Sequence, residues 1–332
     1  MNTHPVSTCS QATPPPRVRY CPAADLPSPK VTDDVLAVLH FGTCTPIEDD
    51  PRHLRVPLQA TAGGTAAPGE LWQIDARVDH GREGAVQWSC GGGWLFAALN
   101  LDERTYTSIE DAAEQAYTVL CDFLSRRPQR HVQRVWNYFA RINEGQGDNE
   151  RYRRFCTGRL RGMRDFFADG FPAATAIGHR LADPLLQVYV LAAEYPGLRV
   201  ENPRQINAWR YPRQYGPTPP SFARAMRLHG ENSLAISGTA AITGHASLHP
   251  GDLEAQLKET YANLVALLEQ GGLPARFTAN DPLKVYLRHA RDADAVQRFL
   301  DAHAPDAPRL LLLGDVCRRE LLVEIDGWRF AH

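Results

Sequence analysis

Short apolar runs separated by Gly- and Pro-rich breaks dominate this chain, and few stretches carry the three-to-four-residue spacing of a buried helix face. The clearest is Leu253, Leu257, Tyr261, Leu264 and Leu268, opened by Asp252 as an N-cap and closed by Gly271-Gly272. Ser108-Ile109-Glu110-Asp111 resembles a capping box and predicts a helix to Arg126, with Ala113, Ala116, Tyr117 and Leu120 on its inner side. Asn149 opens a third helix through Phe167, and residues 294–302 form a shorter fourth. Strands are predicted at Val35–Phe41, 71–78, 85–90, 94–99, 132–142, 184–193, 234–238, 240–244 and Leu283–Leu287. The chain closes on two more. Leu310 to Leu313 ends at Gly314-Asp315, and residues 321–325 then alternate. In that last strand Leu321, Val323 and Ile325 share one face, leaving Leu322, Glu324 and Asp326 on the other.

The C-terminal order is therefore β-β-α-β-α-β-β, and the N-terminal part repeats it loosely. This predicts an α+β protein of two sandwich-like halves, each a mixed sheet with helices packed on one face. We expect a disordered leader at 1–16, an N-terminal domain at 17–200 and a C-terminal domain at 201–332, with the boundary in the Pro-, Gly- and Arg-rich connection 195–220.

Composition removes several function classes. The 332 residues carry 36 basic against 38 acidic side chains, a formal charge of -2, so nothing draws nucleic acid or an anionic membrane. No apolar run is long enough to span a bilayer, and the N-terminus lacks the features of a signal peptide. Seven cysteines stand singly without a C-x-x-C pair, and the twelve histidines show no metal-binding spacing. Free thiols in a cytoplasmic protein, with no metal site, is the expectation.

Two features hold candidate chemistry. A carboxylate in the middle of an apolar strand is either solvated on a half-exposed face or aimed into a pocket where desolvation keeps it protonated; Glu324 is that residue. Six arginines lie between positions 151 and 164. They form a solvated basic face, or else Arg159, two turns from Tyr152 on the same side, points at an acidic ligand.

Two families resemble parts of this sequence. Ile236-Ser237-Gly238-Thr239-Ala240, the helix after Pro250-Gly251-Asp252 and Leu322-Val323-Glu324-Ile325 resemble the small YjgF-type deaminase fold, which forms trimers with ligand sites between subunits. A resemblance through most of the chain is to the chorismatases. It rests on Trp136-Asn137-Tyr138, Glu150 to Phe155 with Gly158-Arg159, Tyr211 to Pro217, Ser221-Phe222-Ala223-Arg224-Ala225 and Gly314 to Leu321, in that order.

The chorismatase resemblance implies cleavage of chorismate to pyruvate and either a cyclohexadiene diol or a hydroxybenzoate, without metal or redox cofactor. It makes Glu324 the acid that protonates the enolpyruvyl methylene, Arg224 and Arg159 the carboxylate clamps, and Tyr215 and Tyr152 hydroxyl hydrogen-bonders. Cys317 stands where the family carries a cysteine that favours 3-hydroxybenzoate, and Gly238 is the candidate for its paired glycine. Some relatives also give 4-hydroxybenzoate in pigment pathways. On the residues alone, Arg224 reads equally as a surface ion-pair partner, Tyr215 as turn packing and Cys317 as a small buried hydrophobe. The rival functions are an enamine or imine deaminase and a non-catalytic small-molecule binder. A chain with two related halves is expected to act as a monomer or a small homo-oligomer.

Overall fold

The computed structural model describes residues 14–26, 32–42, 49–61, 68–230 and 232–330. Nearly all of the expected leader 1–16, most of the Gly-rich loop 61–69, and Cys9 and Cys44 lie outside the described residues.

In chain order the N-terminal strands are β1 (Arg17–Pro22), β2 (Val35–Phe41), β3 (His53–Val56), β4 (Gln59–Ala60), β5 (Pro68–Gln73), β6 (Asp79–Glu83), β7 (Val86–Gly91) and β8 (Trp94–Asp102). Helix α1 (Ile109–Ser125), β9 (His131–Ala140), α2 (Arg151–Met163), β10 (Ala173–His179) and β11 (Leu185–Ala193) follow. The C-terminal half contains β12 (Leu198–Val200), β13 (Ala225–Arg227), β14 (Leu234–Thr239), β15 (Ile242–Thr243), β16 (Ala246–Ser247) and α3 (Leu253–Gln270). It ends with β17 (Leu283–Leu287), α4 (Ala293–His303), β18 (Arg309–Leu313), β19 (Asp315–Val316) and β20 (Val323–Arg329).

Two seven-stranded sheets repeat one topology. The first runs β19-β10-β9-β11-β8-β7-β6 and the second β4-β18-β17-β20-β14-β13-β12. Read in parallel, each position matches: β9 and β10 are parallel around α2, as β17 and β18 are around α4. Each sheet takes its last strand from the other half, β19 pairing with β10 and β4 with β18, which covers one sheet edge in each case.

Strand alternation decides the layers. Leu95, Ala97 and Leu99 of β8 pack with α1, while Trp94, Phe96 and Ala98 face the other way into the core shared by both sheets. Leu283, Val285, Val323 and Ile325 pack with α3 and α4, whereas Tyr286 and Trp328 join the shared core. The architecture is helices, sheet, sheet, helices, as the α+β expectation had it. A four-stranded sheet, β1-β5-β2-β3, adds Trp72 to the seam.

Several expected boundaries move. The closing strand is Val323–Arg329, later than 321–325, and 240–244 shrinks to a two-residue rung paired with β16. The third helix stops at Met163 because Arg164 takes a positive φ of 46°. Strand β10, Ala-Ala-Thr-Ala-Ile-Gly-His, has no apolar alternation to announce it and is a strand because β9 and β19 pair on either side.

The seam also holds charge. Lys284 Nζ lies 3.0 Å from Glu70 Oε2, both side chains without solvent exposure, and Trp72 Nε1 donates to Glu70 Oε1 at 2.6 Å. Lys284→Met leaves the buried Glu70 carboxyl without its cation, with only the Trp72 bond remaining among the described residues, and should cost about 3–5 kcal/mol in urea denaturation. The double variant Glu70→Leu/Lys284→Met should recover most of that loss.

Candidate active site

The site begins at a fault in the second sheet. Ile236 pairs with Gly327 and Thr239 with Ile325, so Ser237 and Gly238 together oppose the single residue Asp326. Such a bulge bends a strand and re-aims its neighbours. Here it is pinned across the seam: Ser237 Oγ accepts from the Ala174 amide at 2.9 Å, and the Gly238 amide donates to Thr175 Oγ1 at 3.0 Å. The missing Gly238 side chain is what makes room for the carboxyl of Glu324, since a Cβ there would lie 1.9 Å from Glu324 Oε1.

Glu324 faces a cavity of about 520 Å³ built from both halves of the chain. All seven residues singled out from the sequence line it: Glu324, Cys317, Arg224, Tyr215, Arg159, Tyr152 and Gly238. Burial, and then the adjacent Asp326 charge, push the Glu324 pKa from 4.5 up to about 8, against the pull of Arg134 and Arg224. The carboxyl is therefore largely protonated at neutral pH. Burial likewise raises the Tyr152 phenol and the Cys317 thiol, so both stay neutral.

The arginine-rich helix resolves by partners. Arg151 pairs with Glu103, Arg153 with Glu150, Arg154 with Glu110, Arg161 with Glu110 and Glu114, and Arg164 with Asp122. Arg159 has no carboxylate partner among the described residues. It is buried over the Tyr117 ring, and its Nε and Nη2 meet no acceptor. Arg224 is 4% exposed rather than on the surface; its Nη2 donates to the Ile206 carbonyl and to Tyr211 Oη, and its Nε also meets no acceptor. Buried guanidinium N–H groups without acceptors suit an anionic ligand.

Tyr215 does more than pack a turn. Its hydroxyl lies 3.1 Å from His245 Nδ1, and the Arg318 guanidinium sits 4.0 Å over its ring and 5.2 Å over that of Tyr211. Arg318 is held by the His245 carbonyl and Ser247 Oγ. Arg318, Tyr211 and Thr175 are wall residues to which sequence reasoning attached no role. Thr175 had no signal, because its strand had none. Among the described residues no cluster of His, Cys, Asp and Glu suits a metal, and no helix is long and apolar enough to cross a membrane.

A carboxyl that holds its proton shares this cavity with buried guanidinium nitrogens that meet no acceptor, a combination suited to acid chemistry on a small anion. The comparisons with known proteins narrow that class. The family model for the N-terminal part of FkbO/Hyg5-like chorismatases matches residues 70–192. A 3-hydroxybenzoate synthase of Streptomyces hygroscopicus is 33% identical over 319 residues, 90% of this chain and 92% of the relative. A chorismatase of the same organism is 30% identical over 327 residues, 93% of each. A chorismatase crystal structure superposes with a TM-score of 0.83 at 30% identity, covering 96% of this chain and 99% of the other. The chain belongs to the chorismatase family.

Gly238→Ala tests the fit between bulge and acid. The atom in the way is the end of a flexible side chain, so melting temperature should change little. The displaced carboxyl should lower kcat/KM by about 10²-fold, as a 1 Å misplacement of a reacting group does. Unchanged turnover would mean that the carboxyl works from another position.

Proposed function

We propose that this protein cleaves chorismate to pyruvate and 3-hydroxybenzoate, with Glu324 protonating the enolpyruvyl methylene. The observation that carries this reading is the cavity itself: a carboxyl with a pKa of about 8 shares its lining with buried Arg159 and Arg224 nitrogens that lack acceptors. Chorismate brings two carboxylates to those two guanidinium groups and an electron-rich alkene to the acid. The names borne by relatives along nine-tenths of the chain supply the substrate class.

The chemistry follows from the groups present. The alkene electron pair takes the Glu324 proton, leaving a cationic, oxocarbenium-like carbon. The neighbouring ring hydroxyl oxygen then bonds to the ring carbon that carries the ether as that carbon's C–O bond breaks and pyruvate leaves. The hydroxyl proton returns to the Glu324 carboxylate, and opening of the resulting epoxide with loss of the ring C–H proton gives the aromatic phenol. Hydroxybenzoate and pyruvate together contain every atom of chorismate, so this route consumes no water, whereas the dihydrodiol takes up one. Cys317, packed with Ala240, Ile242, Val316 and Leu321, presents a neutral, weakly polar wall that favours the water-free outcome. Tyr152 donates from a neutral hydroxyl. The reading takes 17–200 and 201–332 as the two domains, with β12 at the end of the first pairing into the second sheet, and the single chain as the working unit, since one chain supplies the whole cavity. Chorismate made in the cytoplasm is then the substrate, without nucleic acid or membrane.

Glu324→Gln should lower kcat by at least about 10²-fold, while an uncleavable dicarboxylate analogue keeps its affinity. The protonated acid is the active form, so wild-type kcat/KM should stay level below pH about 8 and fall tenfold per unit above it. A profile still rising at pH 9 would reject the acid assignment.

Cys317→Ala should shift product towards the dihydrodiol, read by chromatography with pyruvate as the internal count. A product ratio equal to wild type would remove Cys317 from product control.

A further inference from the structure

Directly beside Glu324 on the same strand face lies a second carboxylate that the mechanism has not used. Asp326 Oδ2 accepts from Arg134 Nη2 at 3.0 Å, Trp136 Nε1 at 3.1 Å, Thr175 Oγ1 at 2.7 Å and Tyr286 Oη at 2.8 Å. Arg134 Nη2 also donates to Thr175 Oγ1, the atom that receives the Gly238 amide. Arg134 and Thr175 come from the first sheet, Asp326 and Gly238 from the second. The hydroxyl of Thr175 thus links the buried ion pair to the bulge against which the Glu324 carboxyl rests, and it lines the cavity.

We propose that Asp326 is a positioning residue for Glu324, holding the bulge through Thr175 and, together with Arg134, fixing the charge that the acid meets. The inference rests on Glu324 being the acid. The groups facing Glu324 are Asp326 on its own strand, Arg134 from β9, Arg224 ahead of β13, Tyr152 from α2 and Cys317 after β19, with the Tyr286 phenol behind Asp326. The two phenols and the thiol are neutral, their ionisation pushed up by burial. Net field at the acid is therefore set by one carboxylate against two guanidinium groups. Removing Asp326 leaves Arg134 unopposed and favours the ionised, inactive Glu324; removing Arg134 does the reverse. A merely structural ion pair would lower stability in both variants without moving the acid in opposite directions.

The test is the pH profile of kcat/KM for chorismate cleavage in the full chain. In Asp326→Asn the falling limb should move down by about one pH unit or more, and in Arg134→Met it should move up by a similar amount. Thr175→Val should lower kcat/KM at least tenfold, with Thr175→Ser restoring most of it. Limbs coinciding with wild type in both charge variants would overturn the proposal. If either charge variant fails to fold, Thr175→Val decides: wild-type kcat/KM there would overturn it equally. Glu324→Gln separates the two layers. Should that variant keep wild-type turnover, the acid assignment itself falls; should it be inactive while the limbs stay put, only the role given to Asp326 falls.

Discussion

Two carboxyl groups on one strand face, buried between two sheets, impose the constraint that shapes this site. An ionised carboxylate in such a place must be answered by donors, or it must take a proton. The structure does one for each. Asp326 collects a guanidinium, an indole, a hydroxyl and a phenol on a single oxygen. Glu324 faces the cavity instead, where burial holds its proton. Environments that differ this much over two residues separate a structural anion from an acid, and the separation needs both sheets, because the donors come from β9, β10 and β17.

The duplicated topology makes the asymmetry of the site plain. Strand β11 occupies in the first sheet the place that β20 holds in the second. Its seam-facing residues are Tyr189, Leu191 and Ala193, and these join the aromatic core with Trp72, Trp136 and Trp328. Only β20 among the two presents carboxylates there. The same fold, used twice, thus contributes unequally to the cavity: Glu324, Arg224, Tyr215 and Cys317 belong to the second half, while Arg159 and Tyr152 come from α2 and Thr175 from β10 of the first. The exchanged edge strands β4 and β19 stitch the halves, and β19 leads directly into Cys317 at the cavity wall.

Arg288 illustrates how that wall is kept in place. Its guanidinium donates to the carbonyls of Val316, Arg318 and Leu321 and to Asn143 and Asp315, so the whole turn after β19 hangs on one side chain. Asn143 answers with bonds to the Val316 and Cys317 carbonyls. Loop backbone at the cavity is thereby satisfied without regular structure.

By itself, the amino-acid sequence determined the features that depend on neighbours a few residues away. Period-2 alternation put Glu324 and Asp326 on one face and Val323 and Ile325 on the other, and Ser108 and Asp252 cap their helices as their positions require. Helical periodicity likewise put Arg159 and Tyr152 on one side of α2. What only the tertiary structure decided is which of these groups lacks a partner. Six arginines look alike along the chain, yet five find carboxylates, most on α1 or near it, and Arg159 finds none among the described residues. Strand β10 was silent for the same reason, its burial coming from strands that flank it in space. Periodicity is a short-range property of the backbone, whereas the charge a buried group meets is set by segments folded against it from far along the chain.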